Sequence, residues 1–487
     1  MFQGGPDETM RNRIPLGFDP ATLDAVVLTH AHLDHCGLLP LLVREGFRGP
    51  ILCTAATAEL TRLVLLDSAK LQEEFAKRAR RRARHDPERA AANEARDERR
   101  FDADLDLALA GAASPGGPDP EELLRGAPPE VVLDLDAPIY SVDDAGKVLP
   151  MLRHVPYGVE HEIAPGVLVT LLDAGHILGS SVVRMRIAHV GGGRDTLIVF
   201  SGDLGRPGTP ILRDPTAVPE ADFVVCESTY GGREHEAGER STQILAEAVN
   251  DVAGRKGALL IPSFAIGRTQ EIVWELDRLV TSGQIPDLPL YLDSPMAKAA
   301  SDIYRSHPEA YDQETRDLLA AHESPLDYPG QRVVQNVHES ERIAHAHRPL
   351  IIVASNGMLT GGRSVGHAQW LLSDPKSTVL FVGYQGEGSL GGHLVRGATA
   401  ARIGGREVQV RAKIRTLDGL SAHADEPELI AWLTNFVRGR RPVDAGVPKR
   451  VFLVHGDPPA QQAILPKVEA LGLDVRVPVW HETVALD

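Results

Sequence analysis

His30, His32, Asp34 and His35 crowd into the segment THAHLDHCG. Three imidazoles and a carboxylate so close together offer enough nitrogen and oxygen donors to begin two metal sites rather than one. A lone histidine is more often a packing or surface residue, but four donors at this spacing argue for ligation. The preceding DAVVLT is an apolar, β-branched run expected as a buried strand, and the following LLPLLVREGF has the spacing of an amphipathic helix. The donors therefore fall on a strand-to-helix turn. His30 and His32, alternate residues of an extended segment, point the same way, while Asp34 and His35 turn toward a second position as the helix begins. Such a turn can hold two ions about 3.5–4 Å apart, the spacing of two-metal hydrolases.

HAHLDHCG resembles the HxHxDH signature of the metallo-β-lactamase fold. DAGHILGS with His176, FSGDLG with Asp203, CESTYGGR with Glu227, LSAHAD with His423 and LVHGD with His455 follow in an order that resembles its β-CASP nuclease branch. Over nearly its whole length the chain resembles the short bacterial and archaeal RNA-processing members and the nuclease subunit of the cleavage and polyadenylation specificity factor. The resemblance implies that His30, His32 and His176 ligate one zinc, that Asp34, His35 and His455 ligate a second, and that Asp203 bridges the two. Two Zn2+ are the implied cofactor, and Mn2+ is a metal that the same donors accept. The ions would lower the pKa of water toward ~7 and so supply a hydroxide nucleophile. His423 is the implied general acid, oriented by Glu227, since a carboxylate beside a histidine favours its protonated form. Singly, each residue has a plainer reading: Asp203 flanked by Gly202 and Gly205 suits an ordinary turn. Together they complete a ligand set and an acid pair. The other histidines, His154, His161, His338 and His393 among them, are expected on the surface or in packing.

The elements that position these groups are strand-like runs ending in polar or Gly-rich turns: TLIVFSGDLG, DFVVCESTYGG, ALLIPSFAIG, LPLYLDSP, PLIIVASNG, TVLFVGYQ and RVFLVHGD. Helix-like segments such as STQILAEAVNDVAG lie between several of them. The alternation reads as an α/β fold. The resemblance implies an αββα sandwich over 1–231, a β-CASP domain inserted over 232–400, and completion of the sandwich over 401–487. It also implies further strands ahead of Met1, so the chain as read is expected to lack them through a start placed downstream, leaving apolar sheet surface exposed. SFAIGR, LDSPMA, SNGMLTGG and GYQGEGSLGG resemble the inserted domain, and Ser263, Arg268, Ser294 and Ser355 are its candidate RNA contacts, where small residues let amides approach phosphates. Any one of these serines equally suits a tight turn. Residues 67–130 form a charged insertion, Arg-rich and then Gly/Pro-rich, expected as a solvated helix with a connector because interleaved acids offset its basic charge.

A length of 487 residues with 43% hydrophobic content allows about three packed units. The net charge of −16 argues against general electrostatic binding to nucleic acid, although bound cations reverse the sign of a carboxylate-rich cleft. Cys36, Cys53 and Cys226 are too few for a disulfide framework, and no segment reads as a signal or a membrane span, so a cytoplasmic protein without membrane contact is expected. The expected activity is zinc-dependent hydrolysis of RNA phosphodiester bonds, endonucleolytic or 5′ exonucleolytic, in RNA processing or decay. Single-stranded RNA is the expected partner, with a second copy of the chain as a further candidate. His455 carries the choice of RNA, because in the resemblance the last motif holds His in RNA-directed members and Val in DNA-directed ones. Two other readings are a metallo-hydrolase of lactones or thioesters, which the inserted domain argues against, and a non-catalytic RNA-binding paralogue, which the filled ligand positions argue against.

Overall fold

The computed structural model describes residues 1, 11–85, 137–189, 193–324, 326–383, 385–386, 388–440 and 444–486. Its largest sheet runs in the order Val475–Arg476, Arg450–Val454, Phe223–Glu227, Thr196–Phe200, Ser181–Ile187, Val167–Asp173, Glu160–Ala164. The first four of these strands pair in parallel and the rest antiparallel. A three-stranded parallel sheet, Val26–Val27, Ile51–Cys53 and Leu152–His154, faces it. Leu52 from this small sheet packs on Val169, Leu171 and Val183, alternate residues that the pleat sends to one side. On the other side of the large sheet, Val199, Val224 and Leu453 meet Leu429, Leu433 and Phe436 of helix Glu426–Val437 and Ile464 of helix Pro458–Glu469. The small sheet is covered in turn by helix Ala55–His85 through Leu60 and Val64. The layers are thus helix, sheet, sheet, helix, the αββα order expected above.

A second unit is built on a wholly parallel six-stranded sheet, ordered Gln331–Val333, Leu290–Asp293, Leu350–Ala354, Ala258–Pro262, Thr378–Val382, Lys413–Leu417. Its runs LIIVA, ALLIP and TVLFV are buried at every position. That continuous burial follows from helices on both faces, Gly238–Arg255 and Arg268–Thr281 on one and Gly362–Leu371 on the other. The unit is inserted, because the chain leaves the large sheet after Phe223–Glu227 and comes back with Arg450–Val454 paired directly beside it. Lys413–Leu417 lies past the boundary expected at 400, yet pairs along its whole length with Thr378–Val382.

The two units share a core in which Ile177 and Leu178 pack with Ile266, Trp274, Tyr304 and Tyr311. The Leu178 N–H donates to Tyr304 Oη at 3.2 Å across the same boundary. Of the charged insertion at 67–130, the part up to His85 continues the helix Ala55–His85, and the remainder lies outside the described residues. No described helix is long and apolar enough to cross a membrane. All three cysteines are free and buried, and burial pushes the Cys53 thiol up to about 12.

Candidate metal centre

The ligand turn meets the requirement that its spacing sets. His30 and His32 lie in extended chain, with His32 at the N-cap of a single helical turn, Leu33–Cys36, that carries Asp34 and His35. The other candidates arrive from strand ends: His176 after Val167–Asp173, Asp203 after Thr196–Phe200, and His455 directly after Arg450–Val454. Close backbone packing holds these loops together. A Cβ on Gly205 would fall 1.8 Å from the Gly175 carbonyl oxygen, so only glycine lets the Asp203 and His176 loops touch.

The seven donors collect into two groups, His30, His32, His176 and Asp203, and Asp34, His35 and His455. In the first, His32 Nδ1 lies 3.2 Å from His30 Nε2 and 3.0 Å from His176 Nε2. In the second, His35 Nε2 and His455 Nε2 are 3.1 Å apart, and His455 Nε2 is 3.4 Å from Asp34 Oδ2. Asp203 stands between them. Its Oδ2 is 3.4 Å from His30 Nε2, 3.6 Å from His176 Nε2 and 3.3 Å from His35 Nε2, and its Oδ1 is 3.7 Å from His455 Nδ1.

Hydrogen bonds to the surrounding chain fix how two of the rings face the cluster. His176 Nδ1–H donates to the Ala422 carbonyl at 3.0 Å, which leaves Nε2 as a lone pair aimed at His32. Thr229 Oγ1 lies 3.0 Å from His455 Nδ1 and donates to the His455 carbonyl, also at 3.0 Å, so it accepts the Nδ1–H and leaves the other ring nitrogen facing His35. Asp203 Oδ1 is buried without any hydrogen-bond partner. Burial keeps His30 and His176 below the usual histidine range and takes His32 to about 3, so these rings stay neutral, as ligands must be. At His455 burial opposes the charged form, but Asp203, Asp34 and Glu227 together outweigh it and pull the pKa up to about 10. Converging ring nitrogens and carboxylates, mostly buried in the first group and half-buried in the second, fit a bound cation, and the absence of thiolate donors fits an ion with open coordination positions.

Beside this cluster His423 Nδ1 lies 3.2 Å from Glu227 Oε1. The same oxygen accepts the Leu204 N–H at 2.7 Å, which fixes the carboxylate against the Asp203 loop. The His423 ring centroid is 4.5 Å from that of His176 and 6.0 Å from that of His455. Burial works against a charged His423, yet Glu227 and Asp203 outweigh it and hold its pKa above the usual value.

The four candidate RNA contacts are placed differently. Ser263 is buried and its hydroxyl lies within hydrogen-bonding distance of the Phe264 carbonyl and Thr269 Oγ1. Ser294 caps helix Pro295–Ser306 through the Ala297 N–H and receives the Ser355 hydroxyl at 3.0 Å. Arg268 is buried, 3.5 Å from Glu271, with Nε and Nη1 lacking hydrogen-bond partners. Ser263, Ser294 and Ser355 directly follow strands of the six-stranded sheet and Arg268 opens the helix after the first of them, on the edge from which Lys413–Leu417 runs on to His423.

Some supports were not expected from sequence. Thr229 and the Ala422 carbonyl fix ligand rings, and Thr29 Oγ1 lies 3.2 Å from His30 Nδ1. His235, expected in a surface or packing role, is buried with Nε2 3.2 Å from the His423 carbonyl and its ring 4.4 Å from Tyr230. The only sequence signal for Thr29 and Thr229 is a hydroxyl next to, or two residues from, a quoted motif residue.

Three family models match the chain: the metallo-beta-lactamase superfamily over residues 4–263, the Beta-Casp domain over 269–394, and the Zn-dependent metallo-hydrolase RNA specificity domain over 407–478. Ribonuclease TTHA0252 of Thermus thermophilus is 34% identical over 458 residues, covering 94% of this chain and 86% of its own length. Transcription termination factor FttA of Pyrococcus horikoshii is 31% identical, covering 95% and 62%, and FttA of Methanothermobacter thermautotrophicus is 30% identical, covering 90% and 58%. The chain thus spans about three fifths of the archaeal relatives' length.

Proposed function

Because the chain belongs to the metallo-β-lactamase superfamily and carries the β-CASP and RNA-specificity domains, we propose that it hydrolyses phosphodiester bonds of single-stranded RNA with two bound zinc ions. The observation that carries this reading is Asp203, whose single oxygen Oδ2 lies within 3.6 Å of histidine nitrogens from both ligand groups. When bound, the ions supply Lewis acidity at phosphorus and lower the pKa of water to the neutral range. His30, His32 and His176 hold one ion, Asp34, His35 and His455 the other, and Asp203 ties the two groups together. Glu227 keeps His423 protonated and turned, so that Nε2 delivers a proton to the departing 3′ oxygen and leaves 5′-phosphate and 3′-hydroxyl ends. Manganese suits the same donors and is the alternative metal. The relatives' names, a ribonuclease and transcription termination factors, support RNA as the substrate.

The test is cleavage of a 5′-labelled single-stranded RNA by zinc-loaded protein beside its His423→Ala variant. Cleavage that disappears in the variant is expected, internal fragments marking an endonuclease and release of the labelled mononucleotide a 5′ exonuclease. Turnover of a lactone or thioester with RNA left intact would replace this reading by a small-molecule hydrolase.

A further inference from the structure

Phe264 is the one side chain of SFAIGR that the fold holds out of the core. Ala265 and Ile266 next to it are buried, while Phe264 is 45% exposed. Isolated exposed apolar residues are common and need no explanation by themselves. This one differs in its mounting and its place. The Ser263 N–H donates to the Ala354 carbonyl at 2.9 Å, Thr269 Oγ1 donates to the Phe264 carbonyl at 2.6 Å, and Gln270 Nε2 donates to the Ala265 carbonyl at 3.2 Å. The backbone beneath the ring is therefore fixed from three sides. Gly357 lies against the ring edge: a Cβ there would sit 3.4 Å from Phe264 Cδ2 and Cε2, so glycine lets the neighbouring loop back the ring without a side chain over it.

The position is that of a ligand site in a parallel sheet. Phe264 follows strand Ala258–Pro262, which lies between Leu350–Ala354 and Thr378–Val382. From Ala258–Pro262 the chain moves outward on one side to Leu290–Asp293, and after Leu350–Ala354 it crosses to Thr378–Val382 on the other, which makes this a topological switch point where ligands enter beyond the carboxyl ends of strands. The same loop touches the metal centre's own loop, since a Cβ on Gly267 would fall 2.9 Å from Ile177 Cγ2, beside His176. Gly267 is three positions after Phe264, so their Cα atoms are at most about 11 Å apart. The ring thus stands on the loop that packs against the His176 loop, and Ser294 and Ser355 follow neighbouring strands of the same sheet.

We propose that Phe264 is a stacking platform for one unpaired base of the RNA strand, setting the register in which the strand enters the metal centre. This rests on the reading of the chain as acting on RNA. An aromatic face accepts any base and so gives register without sequence preference. It also favours an unpaired strand, because a base within an A-form duplex has no free face.

The experiment is equilibrium binding of single-stranded RNA carrying 2-aminopurine at successive positions, with zinc-loaded full-length His423→Ala protein so that binding is read without cleavage. Fluorescence quenching confined to one register is expected; Phe264→Ala abolishes it and weakens binding about tenfold, and Phe264→Trp retains it. An abasic nucleotide at that register costs the Phe264 protein the same tenfold and costs the Phe264→Ala protein nothing more. Quenching indifferent to residue 264, or a Phe264→Leu protein that binds as tightly as Phe, overturns the proposal. Failure of the ribonuclease reading shows separately, as RNA left uncut by the unaltered protein, while the binding scan still reports on Phe264.

Discussion

At the scale of single residues, the proposed mechanism separates ligation from proton transfer, and substitutions report the two differently. His423→Ala leaves both ligand groups intact, so kcat on RNA is expected to fall by about 10²–10⁴ while metal content by elemental analysis stays at the parent level. Glu227→Gln removes the carboxylate that holds His423 above its usual pKa. A proton donor acts only below its own pKa, so the alkaline limb of the kcat–pH profile is expected to move to lower pH; an unmoved limb would take His423 out of the acid role. Thr229→Val deletes the hydroxyl that fixes the His455 ring and is expected to weaken binding of the second ion by about 10- to 100-fold, read by competition with a chromophoric chelator. The clustering of the candidate donors was legible in the sequence because four of them occupy one turn and the others sit in recognisable segments. Thr229, His235 and the Ala422 carbonyl were not, because each acts on a residue some two hundred positions away that only strand pairing and loop packing bring near.

At the scale of elements, every candidate donor and proton-transfer group lies at or beyond the carboxyl end of a strand, and the precision of the site is set by how closely those loops approach. Gly205 makes the point, since a methyl group there would overlap the Gly175 carbonyl. Gly205→Ala is expected to destabilise the protein by ~1–3 kcal/mol in denaturant melts and to lower metal occupancy, as the Asp203 and His176 loops part. A variant with parent stability and occupancy would mean that the loops have slack. Central strands such as ALLIP and LIIVA were readable because burial on both faces leaves an unbroken apolar run. Lys413–Leu417 was not, since KIRTL is an edge strand with exposed charge and its partner is set by the fold rather than by a local turn. The expected end of the inserted domain at 400 reflects that silence.

At the scale of the whole molecule, the two units are joined by a shared core, and the candidate donors come from both flanks of the insertion. Ions that bind the native arrangement and not the unfolded chain stabilise it by mass action, so chelation is expected to lower the thermal midpoint and zinc in excess to restore it. A midpoint indifferent to chelator would show that the donors are not filled in solution. Six of the candidate donors, up to Asp203, precede the insertion and the seventh follows it, because His455 leaves a strand that pairs with Phe223–Glu227. His455 holds a left-handed backbone, φ +49°, that few non-glycine residues adopt, so it reaches the centre only once that strand is seated. During translation the ribosome adds the residues between positions 203 and 455 over roughly 10–50 s, at ordinary elongation rates. Throughout that interval the nascent chain, still tethered to its own message, can assemble one group of donors and not the other.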